Sequence, residues 1–179
     1  MLYTRKGDSG ASGLFGTKER FPKDSLIFEA LGTLDELNSL LGVCRAYALR
    51  EKGGAMTEEI RNVQECLFII QAELAGADKC ITQTQVDELE KAVDRYEAQI
   101  TNPHAFIVPG ATEFSALLDY ARAVSRRAER TVIGAQAFRK VSASTGAYLN
   151  RLSSLLYALA RYTAMKAEAK ELPPTYRQV

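Results

Sequence analysis

The sequence predicts an all-α fold: a five-helix antiparallel bundle behind a long irregular N-terminal segment. Three observations predict it. Five segments carry apolar residues at three- and four-residue steps, the period of one helix face. No segment shows credible strand alternation. The connectors are short, which makes successive helices antiparallel neighbours. With 179 residues, 46% of them apolar, residues 1–179 fit one domain with a real core.

Residues 1–26 read as irregular, with Gly7, Gly10, Gly13, Gly16 and Pro22 and little apolar period. A loop of that length in a compact domain is functional or disordered. The first helix spans Leu26 to Leu49, with Leu34, Leu37, Leu41, Cys44 and Ala48 as its stripe, and Gly53-Gly54 ends it. Thr57 is read as the N-cap of a second helix carrying Ile60, Val63, Leu67, Ile70 and Leu74. Thr82-x-x-Gln85 is a capping-box pattern for a third, with Val86, Leu89, Val93, Tyr96 and Ile100. Pro103 and Pro109 make residues 103–110 a connector. Thr112 starts a fourth helix to about Phe138, placing Phe114, Leu117, Ala121, Val124, Ala128 and Val132 toward the core. The last runs from about Ser144 to Lys170 on Leu149, Leu152, Leu156, Leu159 and Thr163. Residues 172–179, with two prolines, read as a tail that is mobile or docked only by ligand.

Charge narrows the function. Basic and acidic residues nearly cancel to a formal +1, which argues against nucleic acid or a strongly anionic membrane as main partner. Any cationic site is therefore local. No apolar run approaches the roughly 20 residues of a membrane span, and the N-terminus has neither a signal core nor a transit-helix pattern, so a cytoplasmic chain is expected. Cys44, Cys66 and Cys80 form no Cys-x-x-Cys pair and suggest neither disulfides nor zinc; Cys44 and Cys66 read as small core residues. The single histidine, His104, excludes multi-histidine metal sites.

Four features could carry chemistry. On the fourth helix Arg122, Arg126, Glu129 and Arg130 share one face, with Arg127 beside it. Arginine suits forked contacts to phosphate or carboxylate oxygens. The plainer alternative is a solvated face with Glu129 paired to Arg126. On the last helix Asn150, Ser154, Tyr157 and Arg161 form a polar stripe that faces either solvent or those arginines across a wet cleft. Thr4-Arg5-Lys6-Gly7-Asp8-Ser9-Gly10 gathers hydroxyls, cations and glycines able to turn backbone N–H groups toward a phosphate. It is not a Walker A sequence, and a flexible tail is the plain alternative. Thr33 and Glu36 form a capping box unless the helix is already running from Ile27, in which case Asp35 is a mid-helix acid free to pair elsewhere.

In combination these pieces resemble the PduO-type ATP:cob(I)alamin adenosyltransferases, or corrinoid adenosyltransferases. The resemblance runs in order over nearly the whole chain: Tyr3 to Gly10, Pro22-Lys23-Asp24, Gly32 to Ser39, Phe106 to Gly110, Ala121-Arg122 with Arg126 to Arg130, and Tyr148 to Ser153. It implies a homotrimer with active sites between neighbouring subunits, and transfer of the 5′-deoxyadenosyl group of ATP to cob(I)alamin. Thr4, Arg5, Lys6, Gly7, Ser12 and Lys23 would then fold over the ATP phosphates. Arg126, Arg127, Glu129, Arg130 and Asn150 would complete the nucleotide site from the adjoining subunit. Asp35 and Arg122 match an intersubunit ion pair on the corrinoid side, and Phe106 an aromatic residue that displaces the lower axial ligand of cobalt. Arg126, Phe106, Asp35 and Arg122 are the implied catalytic set. Mg2+ would ride on the ATP phosphates with no dedicated protein ligands. A flavin reductase and an adenosylcobalamin-dependent enzyme are implied partners.

The sequence departs from the family pattern at four places. Ser9 stands where lysine is more frequent, Ala111 where a second glycine is common, Asp119 for a frequent histidine, and Ser154 for the usual aspartate. Two other readings compete. A non-catalytic corrinoid- or nucleotide-binding chaperone or sensor of the same fold keeps the arginines without turnover. A helical interaction bundle uses them on an acidic protein, and leaves the glycine-rich N-terminus without a purpose.

Overall fold

The computed structural model describes residues 2–51, 54–101 and 105–176. Five helices form: α1 (Leu26–Arg50), α2 (Gly54–Ala75), α3 (Gln83–Glu97), α4 (Glu113–Ala135) and α5 (Ala143–Lys166). The stripes predicted for α1, α2 and α5 are buried throughout. Two short strands, β1 (Ala11–Gly13) and β2 (Arg20–Pro22), precede them as an antiparallel pair. They correct the expectation of no strand and of an irregular N-terminus. Three residues per strand are too few to show a period, and backbone pairing rather than side-chain pattern makes this hairpin. Leu14 in its loop is buried, and Phe21 meets Phe138 edge to face at 5.0 Å, which fastens it to the end of α4.

Helix boundaries follow local chemistry. The Thr33 hydroxyl donates to the Glu29 carbonyl at 2.8 Å, so α1 is already running there and Thr33 is not a cap. α2 starts at Gly54, before Thr57; burial of Met56 and Thr57 in its first turn outweighs the cap signal. Gly54 therefore opens α2 rather than ending α1. Thr82 and Gln85 make the reciprocal capping box that the sequence indicates, and Ile100 falls beyond the end of α3. Thr112 caps α4 with Ser115 as its reciprocal partner. Along α4 Leu118 is fully buried and Leu117 only partly, a shift of one position from the expected stripe. Glu73 of α2 accepts from the Ser142 N–H at 2.6 Å and the Thr145 hydroxyl at 2.5 Å, satisfying the start of α5 from another helix.

Both long helices end earlier than the apolar period suggests. α4 stops at Ala135, where Phe138 turns toward Phe21. α5 stops at Lys166 because Glu168 adopts φ 53°, and the Ala169 N–H reaches back to the Ala164 carbonyl at 3.0 Å. The turned chain brings Leu172 beside the connector: the Val108 N–H donates to the Leu172 carbonyl at 2.9 Å. The tail is thus pinned at its first residue, Leu172, to the connector.

Side-chain pairs fix the directions. Tyr47 stacks with Phe114 and Arg127 pairs with Glu36, so α1 and α4 are antiparallel. Asn150 bonds Glu129 and Arg161 bonds Asp119, so α4 and α5 are also antiparallel. Arg151 meets Glu90 and Tyr96 meets Tyr162, so α3 and α5 run parallel, as simple alternation requires of two helices with one between them in sequence. α4 is central, packed on α5, which follows it in sequence, and on the distant α1.

Cys44 and Cys66 are buried, as expected, and Cys80 is exposed. Burial pushes the Cys44 thiol up to about 12 and raises Cys66. A thiolate-specific disulfide reagent at pH 8 should therefore label Cys80 alone in the folded protein and all three cysteines in denaturant. Rapid native labelling of a second thiol would contradict the buried placement.

Candidate active site

The arginine face of α4 divides by partner. Arg127 pairs with Glu36 on α1. Arg126 and Arg130 are exposed and meet no carboxylate among the described residues. Glu129 does not pair with Arg126; it accepts from the Asn150 amide at 2.9 Å. That bond holds Asn150 beside the arginines and leaves its carbonyl oxygen as an acceptor. Unpaired guanidinium groups one helical turn apart repel, and an anion across them would relieve it.

A cleft of about 390 Å3 opens beside this face, lined by Arg122, Arg126, Ser153, Ser154 and Tyr157 together with Val93 and Glu97 of α3. The polar stripe of α5 is thereby resolved. Ser154 and Tyr157 face the arginines, whereas Arg161 is buried with only 4% of its side chain exposed. A second cavity of about 440 Å3 adjoins the first and shares Arg122 and Tyr157 with it. Phe106 and Ile107 form its other wall, with Asp119 and Arg161. Phe106 is 80% exposed, an unusual position for a large apolar ring.

Buried charges underlie the second cavity. Arg161 donates to Asp119, its Nε lies 2.8 Å from Glu171, and Arg122 Nε is 3.6 Å from Asp119. Arg122 Nε makes no hydrogen bond, so this guanidinium is only loosely engaged. Burial raises the Glu171 carboxyl pKa, and the neighbouring Arg161 opposes that rise. Of the residues under this cavity, the sequence marks Arg161 in the polar stripe of α5 and Asp119 among the departures from the family pattern, but not Glu171. An acid and an arginine within leucine-rich helices gave a signal for the first two, whereas Glu171 gave none. His104 lies outside the described residues.

The N-terminal cations gather separately. Arg20 donates to the carbonyls of Lys6 and Ala11, and the Lys23 N–H to that of Gly10 at 2.9 Å. A Cβ on Gly7 would come 3.0 Å from Lys23 Nζ, so glycine there makes room for the ammonium. Arg5, at φ 58°, and Gly10, at φ 79°, bend the loop around this point, and Ser12 sits in β1. Among the described residues no hydrogen bond or ion pair joins Thr4, Arg5, Lys6, Gly7, Ser12 or Lys23 to Arg126 or Arg130. Asp35 is exposed on α1 and has no ion-pair partner among the described residues; Arg122 meets Asp119 instead.

A helical bundle with the unpaired Arg126 in one cleft and an exposed aromatic ring on the wall of the next offers room for two ligands, one of them anionic. The chain belongs to the cobalamin adenosyltransferase family, whose model matches residues 2–163. It is similar to the corrinoid adenosyltransferase MMAB of Homo sapiens, 38% identical over 95% of this chain and 71% of that one. The corrinoid adenosyltransferase of Bacillus subtilis is 38% identical over 89% and 84%. The corrinoid adenosyltransferase PduO of Salmonella typhimurium is 40% identical, and the match covers 89% of this chain and 48% of that longer relative. A variant of the PduO-type ATP:corrinoid adenosyltransferase from Lactobacillus reuteri, solved with cobalamin and ATP, superposes with a TM-score of 0.90 at 25% identity, over 99% of this chain and 98% of that one.

Proposed function

We propose that this chain transfers the 5′-deoxyadenosyl group of ATP to cob(I)alamin, giving adenosylcobalamin and triphosphate. The observation that carries the reading is the junction at Arg122 and Tyr157, where the arginine cleft meets the cavity under Phe106. It allows a phosphate-bearing and a flat apolar substrate to meet. Cobalt supplies the electron pair for the new Co–C5′ bond, the C5′–O bond breaks, and triphosphate leaves with its electrons. Negative charge grows on the leaving group, where the unpaired Arg126 and Arg130 stabilise it, with the Glu36-paired Arg127 beside them. Mg2+ enters on the phosphate oxygens.

The N-terminal residues Thr4, Arg5, Lys6, Gly7, Ser12 and Lys23 cover the phosphates in this reading. Within one chain their hairpin is fastened to Phe138, beyond the end of α4, about 13 Å along the axis from Arg126 to Ala135. A neighbouring copy therefore supplies the loop, in a homotrimer, and its Asp35 pairs with Arg122. Ser9 and Ser154 remove charges the family more often carries, and Ser154 does so on the wall of the arginine cleft. Among the described residues no helix is long and apolar enough to cross a membrane. A flavin reductase would deliver the electron that makes cob(I)alamin from cob(II)alamin, and an adenosylcobalamin-dependent enzyme would receive the product.

The test incubates the protein with ATP, Mg2+ and chemically reduced cobalamin and follows the cobalt–carbon bond by its visible spectrum. ATP binding with no adenosylcobalamin formed would sink the enzyme and leave a binding chaperone or sensor. Phe106→Ala should slow turnover from cob(II)alamin more than from pre-reduced cob(I)alamin, by about tenfold or more, because the ring excludes the lower ligand and water. Equal losses in the two assays would refute that role.

A further inference from the structure

We infer that Glu171, held by the buried Arg161–Asp119 pair, is a positioning residue that straps the Phe106 connector over its cavity. The inference rests on the reading of Phe106 given above. An exposed ring has no packing of its own to hold it, so its place is set by the backbone on either side. Two residues after Phe106, the Val108 N–H donates to the Leu172 carbonyl. One residue before Leu172, Glu171 lies 2.8 Å from Arg161 Nε, and Arg161 donates to Asp119 on α4. The chain from buried charge to exposed ring is thus continuous: Asp119, Arg161, Glu171, Leu172, Val108, Phe106.

Two details favour positioning over bulk stability. Buried ion pairs are poor stabilisers, since well-packed apolar residues do as well, and their best-attested use is to fix register. The Arg161–Glu171 contact is also not a directed hydrogen bond: Nε and the facing carboxylate oxygen are both buried without a hydrogen-bond partner. The turn that delivers Glu171 requires Glu168 in the left-handed region, a conformation that non-glycine residues seldom adopt. Arg161 further sits over the Tyr157 ring, 5.0 Å from its centroid, so the same guanidinium touches the wall shared by both cavities.

The experiment compares the full chain with Glu171→Ala and with Glu171→Gln, which keeps the side chain's size. Amide hydrogen exchange is read at Val108 and in α4 and α5. Turnover is read from pre-reduced cob(I)alamin and from cob(II)alamin with a dihydroflavin as electron donor. In Glu171→Ala the Val108 amide should exchange about tenfold faster while α4 and α5 amides stay protected. The cob(II)alamin rate should fall about tenfold with the cob(I)alamin rate within about twofold of the parent, and Glu171→Gln should fall between. Unchanged exchange at Val108 in both variants overturns the strap. So does faster exchange with an unaltered ratio of the two rates, or an equal loss in both rates. Phe106→Ala in parallel separates the causes: if it too leaves the ratio unaltered, the reading of Phe106 has failed, and if it lowers the ratio, the strap alone has failed.

Discussion

Arg126→Ala is expected to abolish measurable adenosyl transfer, a loss of at least about a hundredfold in kcat/KM, with the fold intact. Arg126 is exposed and has no carboxylate partner in the chain, so its removal breaks no intramolecular pair. A surface substitution of that kind changes stability by about 0.5 kcal/mol at most. What it removes is a forked donor at the wall of the cleft that Arg122 and Tyr157 share with the Phe106 cavity. Lysine should rescue poorly, since it carries the charge without the planar fork. Titration calorimetry with ATP and steady-state kinetics together decide it. Turnover equal to the parent would refute the assignment of the arginine segment, and a fall in melting temperature beyond a few degrees would refute the claim that its role is confined to ligand.

The largest effect on stability is expected from Asp119→Ala. Asp119 and Arg161 are each 4% exposed, and truncating the acid leaves a guanidinium buried without its nearest partner. Breaking a buried pair from one side costs about 3–5 kcal/mol. At about 2–4 °C per kcal/mol for a chain of this size, the melting temperature should fall by roughly 10 °C. The double substitution Asp119→Leu with Arg161→Met should recover much of the loss, because it removes both charges and the cost of burying them. Calorimetric melts of the parent, Asp119→Leu, Arg161→Met and the double close the cycle. A double variant destabilised by the full sum of the two singles would mean that the pair adds no coupling of its own.

The bundle was legible because its signal is local and repeated. Leu34, Leu37, Leu41, Cys44 and Ala48 fall on one face of α1 whatever surrounds them, and all are buried. Thr82 and Gln85 announced their capping box for the same reason: both partners lie within one turn. Errors arose where a distant residue had the deciding vote. Met56 and Thr57 are buried in the first turn of α2, which overrides the cap signal of Thr57. Pairing of β1 with β2 depends on residues seven to eleven apart, and three residues on each side leave no pattern to read.

The candidate site divides along the same line. Sequence alone determined the five helices, the arginine face of α4 and, through ordered motifs, the family. Those rest on spacing along one chain. Only the tertiary structure decided which arginines are free, because pairing is a matter of what lies across the groove. Arg127 is taken by Glu36, 91 positions away, and Arg161 by Asp119 and Glu171, while Arg126 and Arg130 face open space. It also decided that Glu129 serves Asn150 rather than Arg126, and that a tail beginning with prolines is tied back to Val108. The periodicity of a helix fixes which residues share its face, and only the packing of another element against that face decides what each of them meets.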